Sequence, residues 1–203
     1  MQGIDIKVKK IPKQARAQAT YKAMLDATAQ ILSEEGYAAV TTNRVAETAG
    51  VSIGSLYEYF PNKQSIVAAA IGRALRAVVL EVSDGLRMAL KQRSERSAVH
   101  YWIRAMTEAL QCRADLLRVA LREVPFLWQI PEMHNLSDAL LDVARRGRER
   151  IAHRVRFDDP EASTYLLTTM VWSAILQYVL YPPQQLSRDR LTETLVDMVL
   201  KLF

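Results

Sequence analysis

The chain has 203 residues, half of them apolar and about a quarter charged, a composition that excludes a disordered or fibrous protein and supplies a sizeable core without covalent staples. At roughly 150 residues per domain, this length fits one or two domains. Its single cysteine, Cys112, excludes an internal disulfide and suits a reducing, cytoplasmic setting, and no apolar run of signal-peptide length follows the first charges, so export is not expected. The net charge of +5 is confined to one end: Lys7, Lys9, Lys10, Lys13, Arg16 and Lys22 face only Asp5 among the first 22 residues, and acids and bases balance beyond them. Such a basic arm suits a polyanion, with a solubilising tail as the alternative.

Gly36, Gly50, Pro61, Pro125, Pro131, Pro160 and Pro182-Pro183 separate segments of helical periodicity. No segment alternates with period two, and no Asn-Gly or Asp-Gly hairpin turn occurs. The expected class is all-α, three N-terminal helices followed by a C-terminal helical bundle, with about nine helices in total. The arm through Pro12 is expected to lack fixed structure by itself. The first long helix buries Tyr21, Met24, Leu25, Ile31 and Leu32 together with Thr28, whose hydroxyl bonds back to the Met24 carbonyl, and it ends at Gly36. Thr41 caps a short second helix that stops at Gly50. Ser52 caps a third that reaches about Tyr59, and Asn62 caps a long fourth from Lys63 towards Leu90. Further helices are expected at roughly 96–112, 114–129, 132–155, 159–181 and 187–202, the last capped by Ser187. The domain division is expected between residues 62 and 63: the arm and three helical segments in 1–62, a longer helical bundle in 63–203.

Residues 41–60 place two short helices around a tight turn containing glycine, the helix-turn-helix pattern, although a plain αα-corner has the same outline. Val45, Ala46 and Ala49 let the first helix pack closely, and Val51, Leu56 and Phe60 hold the second against it. The surface left over on the second helix is Ile53, Gly54, Ser55, Tyr57 and Glu58. Such a helix presents its N-terminal end to the major groove, where Gly54 has no side chain to hold DNA away.

The stretch resembles the TetR family of bacterial transcriptional regulators. The matching residues are Gly36-Tyr37, Thr41, Val45-Ala46, Ala49-Gly50-Val51-Ser52, Gly54, Leu56-Tyr57, Tyr59-Phe60, Asn62-Lys63 and Ile66, at fixed spacing. The resemblance implies a three-helix DNA-binding domain joined through a fourth helix to a variable helical domain that binds a small effector and dimerises. One departure is Arg44, which stands where the family often has an acid closing a capping box; the helix loses one reciprocal bond and gains a candidate phosphate contact. Carried over by position, Thr42 and Arg44 contact DNA from the start of the second helix. Ser52, Ile53, Gly54 and Ser55 face the bases, and Tyr57, Tyr59 and Lys63 reach phosphates. The reading face offers no Arg or Lys to take a guanine, so contact of Ile53 with thymine methyls and readout of DNA shape are expected.

Beyond residue 70 the resemblance is architectural only. Trp102, Met106, Phe126, Trp128, His134, Tyr165, Met170 and Trp172 are candidates to line an apolar pocket for a small organic effector, uncharged or amphipathic; each alone is more often plain core. The segment 162–187 carries no charge but too many polar residues and prolines for a membrane span. A helix apolar on every side belongs in a core or a subunit interface. The last helix repeats Leu191, Leu195, Met198 and Leu202 beside Thr192, Val196, Val199 and Phe203. With Trp172 and Leu176 on the preceding helix, it is expected to form a four-helix homodimer interface, with burial inside one subunit as the alternative. His100, His134, His153 and Cys112 have no metal-ligand spacing, and neither a phosphate loop nor a nucleophile elbow occurs, so no metal, cofactor or catalytic residue is expected. The functional expectation is a cytoplasmic, homodimeric TetR-type repressor that binds a palindromic double-stranded DNA operator and is released by a small-molecule effector. A helical carrier of small molecules with a vestigial motif is the rival.

Overall fold

A computed structural model describes residues 4–151 and 158–201, apart from the side chains of His134, Arg150 and Ile151. His153, Leu202 and Phe203 lie outside the described residues. Every regular element among the described residues is helical: α1 (Ala15–Glu35), α2 (Thr42–Thr48), α3 (Ile53–Tyr59), α4 (Lys63–Ala89), α5 (Glu95–Gln111), α6 (Ala114–Glu123), α7 (Pro131–Ile151), α8 (Pro160–Leu180) and α9 (Arg188–Lys201). The all-α reading holds. The helix expected over 114–129 is shorter because Pro125 lacks an N–H and pushes Val124 out of the helical region; after it the chain makes a 3-10 turn at Leu127–Gln129.

The helix starts follow local hydrogen bonding. Thr41 Oγ1 accepts from the Arg44 N–H at 3.2 Å, Ser52 Oγ from Ser55 at 3.1 Å, Asn62 Oδ1 from Ser65 at 2.8 Å and Ser187 Oγ from Arg190 at 3.3 Å. Each satisfies a donor that the first helical turn leaves without a partner. Ser94 and Asp159 cap α5 and α8 in the same way. The Thr28 hydroxyl donates to the Met24 carbonyl at 2.7 Å.

Contacts divide the chain into two compact units, Met1–Leu75 with Asp115–His134, and Arg76–Ala114 with Asn135–Phe203. The division expected between residues 62 and 63 is not the one the contacts draw. The boundary falls inside α4, and most of α6 with the turn after it joins the N-terminal helices. In this first unit Met24, Leu32, Val40, Val45, Leu56, Phe60, Ile66 and Ile71 are buried. Gly36 ends α1 at φ +87°, and a Cβ there would stand 2.7 Å from the Glu123 carboxylate. That carboxylate accepts from the Tyr37 N–H at 2.8 Å, and Phe126 meets the Tyr37 ring edge-on at 5.9 Å. The left-handed backbone at position 36 calls for glycine, and a Cβ there would also displace the acid that seats α6.

The arm is held along α3. The Lys9 N–H donates to the Tyr59 carbonyl at 2.8 Å and its Nζ to the Tyr57 carbonyl at 2.9 Å, and Lys10 pairs with Glu58 at 2.8 Å. The last carbonyls of a helix have no N–H donor within it and attract lysine, which is what gives the arm a place.

In the second unit α5 packs on α8 and α9. Gly85 on α4 sits so close to α5 that a Cβ would lie 2.5 Å from the Ala105 Cβ. Alanine favours helix by ~1 kcal/mol over glycine, yet Gly85→Ala is expected to destabilise the chain by ~1–3 kcal/mol through overpacking. Urea unfolding checks this; an unchanged or raised midpoint contradicts the close approach. No helix among the described residues is long and apolar enough to cross a membrane.

Candidate nucleic-acid interface and cavity

The turn between α2 and α3 closes through Gly50 at φ +65°, a left-handed conformation that glycine adopts without strain. The Val51 N–H then donates to the Ala46 carbonyl at 2.9 Å. Val45, Ala46 and Leu56 face inward, while Ile53, Gly54 and Tyr57 stay exposed. The Thr42 and Tyr57 hydroxyls lie 3.2 Å apart, tying the start of α2 to the outer face of α3.

Gly54 has an ordinary helical backbone rather than a positive φ. A Cβ built on it would meet only Ser52 Oγ, at 3.8 Å. Neither conformation nor packing within the chain asks for glycine here, and helix propensity argues against it. The Lys63 ammonium donates to the Tyr37 carbonyl at 2.5 Å and lies 3.9 Å from the centre of the Tyr37 ring. Burial pushes its pKa down, and the ammonium keeps further N–H donors beyond that one bond.

Three of the expected contacts have partners within the chain. Tyr59 is only 7% exposed and packs edge-on to Tyr21 at 5.5 Å. With Leu56 and Phe60 it forms the inward i, i+3, i+4 stripe of α3, so it belongs to the core and not to a phosphate-facing surface. Arg44 forms an ion pair with Glu35 at 2.5 Å. Ser52 Oγ is engaged as the α3 cap and lies 2.9 Å from Ser55 Oγ. Ile53, Gly54 and Tyr57 are exposed on α3, Tyr57 meets Thr42 at the start of α2, and Lys63 opens α4. The chain order gives no sign of the Lys10–Glu58 pair, which neutralises the one acid on α3.

The second unit holds a cavity of about 180 Å³ between α4, α5, α7, α8 and α9, lined mostly by apolar side chains. Trp102, Met106 and Trp172 line it, as do Leu86, Leu140 and Val199. Sequence reasoning missed Leu86 and Leu140 because aliphatic residues at helical spacing look the same in a core and in a pocket wall. Phe126 and Trp128 are not among the lining residues. Phe126 is buried against Tyr37 in the first unit and Trp128 is exposed, both carried there by the segment 115–134. Tyr165 and Met170 are 55% and 56% exposed on the outer side of α8. The side chain of His134 lies outside the described residues.

The expected interface residues are also redistributed. Leu191, Leu195 and Val196 are buried inside their own chain and Leu176 is half-buried, while Val199 and Trp172 face the cavity. At the cavity wall the Arg148 guanidinium donates to the Pro160 carbonyl at 2.6 Å, to Thr164 Oγ1 at 3.0 Å and to the Glu161 carboxylate at 2.8 Å. With Arg145 it holds the Glu161 carboxyl below the usual carboxylate range. The Trp102 Nε1–H is buried and has no acceptor among the described residues.

A glycine-hinged helix pair with a nearly uncharged outer face defines a helix-turn-helix protein. Residues 24–70 match the family profile described as "Bacterial regulatory proteins, tetR family". Over these residues the chain carries a TetR-family domain. It is 35% identical over 100 residues to the HTH-type transcriptional repressor KstR of Mycolicibacterium smegmatis, covering 49% of this chain and 47% of that protein. It is 32% identical over 112 residues to the HTH-type transcriptional regulator YvkB of Bacillus subtilis, a protein of uncharacterised role, covering 54% of each. The chain therefore spans about half the length of the curated relatives it matches. Among solved structures, a Mesorhizobium loti protein assigned to the TetR family superposes with a TM-score of 0.78 at 14% identity, over 93% of this chain and 97% of that one. The transcriptional regulator FadR of Bacillus subtilis, in complex with stearoyl-CoA, superposes with a TM-score of 0.67 at 16% identity, over 90% and 99%. At such identities the likeness is one of fold.

Proposed function

We propose that the protein is a cytoplasmic transcriptional repressor that binds a palindromic operator as a homodimer and releases it on taking up a small, largely apolar effector. Gly54 carries the DNA-binding part: a glycine that its own fold does not require, on the exposed start of the second helix, is accounted for by close approach of DNA. The similarity to KstR, a named repressor, supports repression over activation. The apolar cavity supports a lipophilic effector, as does the shared fold with a FadR bound to stearoyl-CoA.

The dimer face is reassigned to α8. Tyr165, Leu166 and Met170 are 55%, 56% and 56% exposed on a helix without charge from Ala162 to Leu180, and an exposed apolar stripe of this kind calls for a partner surface. A second copy of the chain supplies it and provides the second reading head that a palindrome needs. Helix α4 runs unbroken from Lys63, and Leu86 and Ala89 near its other end line the cavity. Tilting it on effector binding changes the separation of two heads that must fit half-sites about 34 Å apart. Coupling of this kind is reciprocal: operator lowers effector affinity by the factor through which effector lowers operator affinity.

Selection of duplexes from a random-sequence pool by the purified chain is expected to return a palindrome. On that duplex, Lys63→Ala is expected to weaken binding to all sequences alike and flatten the slope of log K against log salt by about one phosphate contact. Ile53→Ala is expected to change sequence preference and leave the slope. Unchanged operator affinity in both variants overturns the assignment.

A further inference from the structure

We infer that the basic arm is a second DNA-binding element: the segment from Asp5 to Lys10 is strapped to the ends of α3 and α4 so that the Lys7 ammonium meets a backbone phosphate beside the reading head. This rests on the head itself binding DNA. The head is short of positive charge. Residues 41–60 hold one base, Arg44, against Glu47 and Glu58, and Arg44 is taken by Glu35. Phosphates supply a large share of the affinity for a duplex, so a head of this composition needs cations from elsewhere in the chain. The arm holds them and is fastened where they are needed. At one end the Asp5 carbonyl accepts from Asn62 Nδ2 at 3.0 Å, one residue before Lys63. At the other, Lys9 donates through its N–H to the Tyr59 carbonyl and through Nζ to the Tyr57 carbonyl, and Lys10 pairs with Glu58. Lys7 lies midway, and two residues span at most ~7 Å, so its backbone is within that reach of both Asp5 and Lys9. Its N–H donates to Asp5 Oδ1 at 3.0 Å. Ile6 and Val8 on either side are half-buried, while Lys7 is exposed, and its ammonium has no partner among the described residues. The strap thus runs from the cap before Lys63 to the Tyr57 carbonyl, beside the two side chains that the head offers to phosphates. A solubilising tail needs none of these fasteners, because lysines on a loose chain serve solubility equally well. Fixing the arm before DNA arrives removes the ordering that would otherwise oppose binding.

The test titrates the full chain with the palindrome returned by selection and with a scrambled duplex of equal length, each over a range of salt. Lys7→Ala is expected to weaken binding to both duplexes alike, about fivefold at low salt, and to flatten the slope of log K against log salt by about one contact. Asn62→Ser changes no charge and keeps the α4 cap, since serine caps as well as asparagine, but its side chain is too short to hold the Asp5 carbonyl. Lys7→Ala is expected to cost less affinity in the Asn62→Ser background than in the wild type, an effect that a lysine on a loose tail does not show. Without DNA, the Lys9 amide is expected to exchange with solvent more slowly than a free-peptide amide, because it is bonded to Tyr59. An unchanged salt slope in Lys7→Ala, an equal cost in both backgrounds, tighter binding by Lys7→Ala, or free-peptide exchange at Lys9 overturns the inference. If Lys63→Ala and Ile53→Ala still impair binding in that case, the head remains the DNA site and the arm alone is excluded. If those two variants also bind normally, the reading of the head fails and the inference with it.

Discussion

Gly54→Ala is expected to make the chain slightly more stable and operator binding at least tenfold weaker. The first half follows from helix propensity: alanine in a helix interior is worth ~0.5–1 kcal/mol over glycine, and the nearest atom to a new Cβ, Ser52 Oγ at 3.8 Å, is at ordinary contact distance. The second half follows from where that methyl points. It adds a carbon to the exposed start of α3, where backbone and small side chains approach the groove, and loss of one good base contact is worth ~1–3 kcal/mol. Urea unfolding and duplex titration on the same preparation separate the two. A variant that is more stable and binds operator normally removes α3 from the DNA interface; one that loses both shows a structural need for glycine that the geometry does not contain.

Val196→Arg and Leu166→Arg are expected to fail in opposite ways. Val196 is 0% exposed within its own chain, so a charge there has no partner and no water. Burial of an unpaired charge costs several kcal/mol, on the order of the whole stability margin of a small domain, and the variant is expected to lose helicity and aggregate. Leu166 is 56% exposed; arginine there is solvated in a lone chain and clashes only with a second copy seated on α8. Leu166→Arg is expected to keep its circular dichroism and thermal transition, sediment as a monomer and bind operator weakly through one half-site. A dimeric Leu166→Arg protein with normal operator affinity moves the interface elsewhere, and a folded monomeric Val196→Arg protein restores α9 to it.

These contrasts show which inferences a linear pattern supports. Helix starts depend on one hydroxyl or amide and a backbone N–H three residues on, so Thr41, Ser52, Asn62 and Ser187 were readable as caps. The turn of the helix-turn-helix was readable for the same reason, because Gly50 answers a backbone conformation. Tyr59 is a phosphate contact only by position in the resemblance; its spacing from Leu56 puts it inward, and the ring of Tyr21 packs against it there. The ion pair of Arg44 was not readable in the sequence, since its partner Glu35 lies on a different helix.

What the chain determined by itself is local. The helical class, the helix boundaries near each cap and proline, the exposed glycine of α3 and the charge-free stretch of α8 all follow from interactions within a few residues or from composition. What the tertiary structure decided is which side of each apolar helix is covered. Apolar residues recur along both α8 and α9 in the sequence; packing buries Leu191, Leu195 and Val196, turns Trp172 and Val199 towards a cavity, and leaves Tyr165, Leu166 and Met170 outside. It likewise took Phe126 away from that cavity and set it against Tyr37. Hydrophobic burial is proportional to area and carries no direction, so a pattern of apolar residues states that a face is covered without stating by what. Only the partners that long-range folding brings to each face supply that answer.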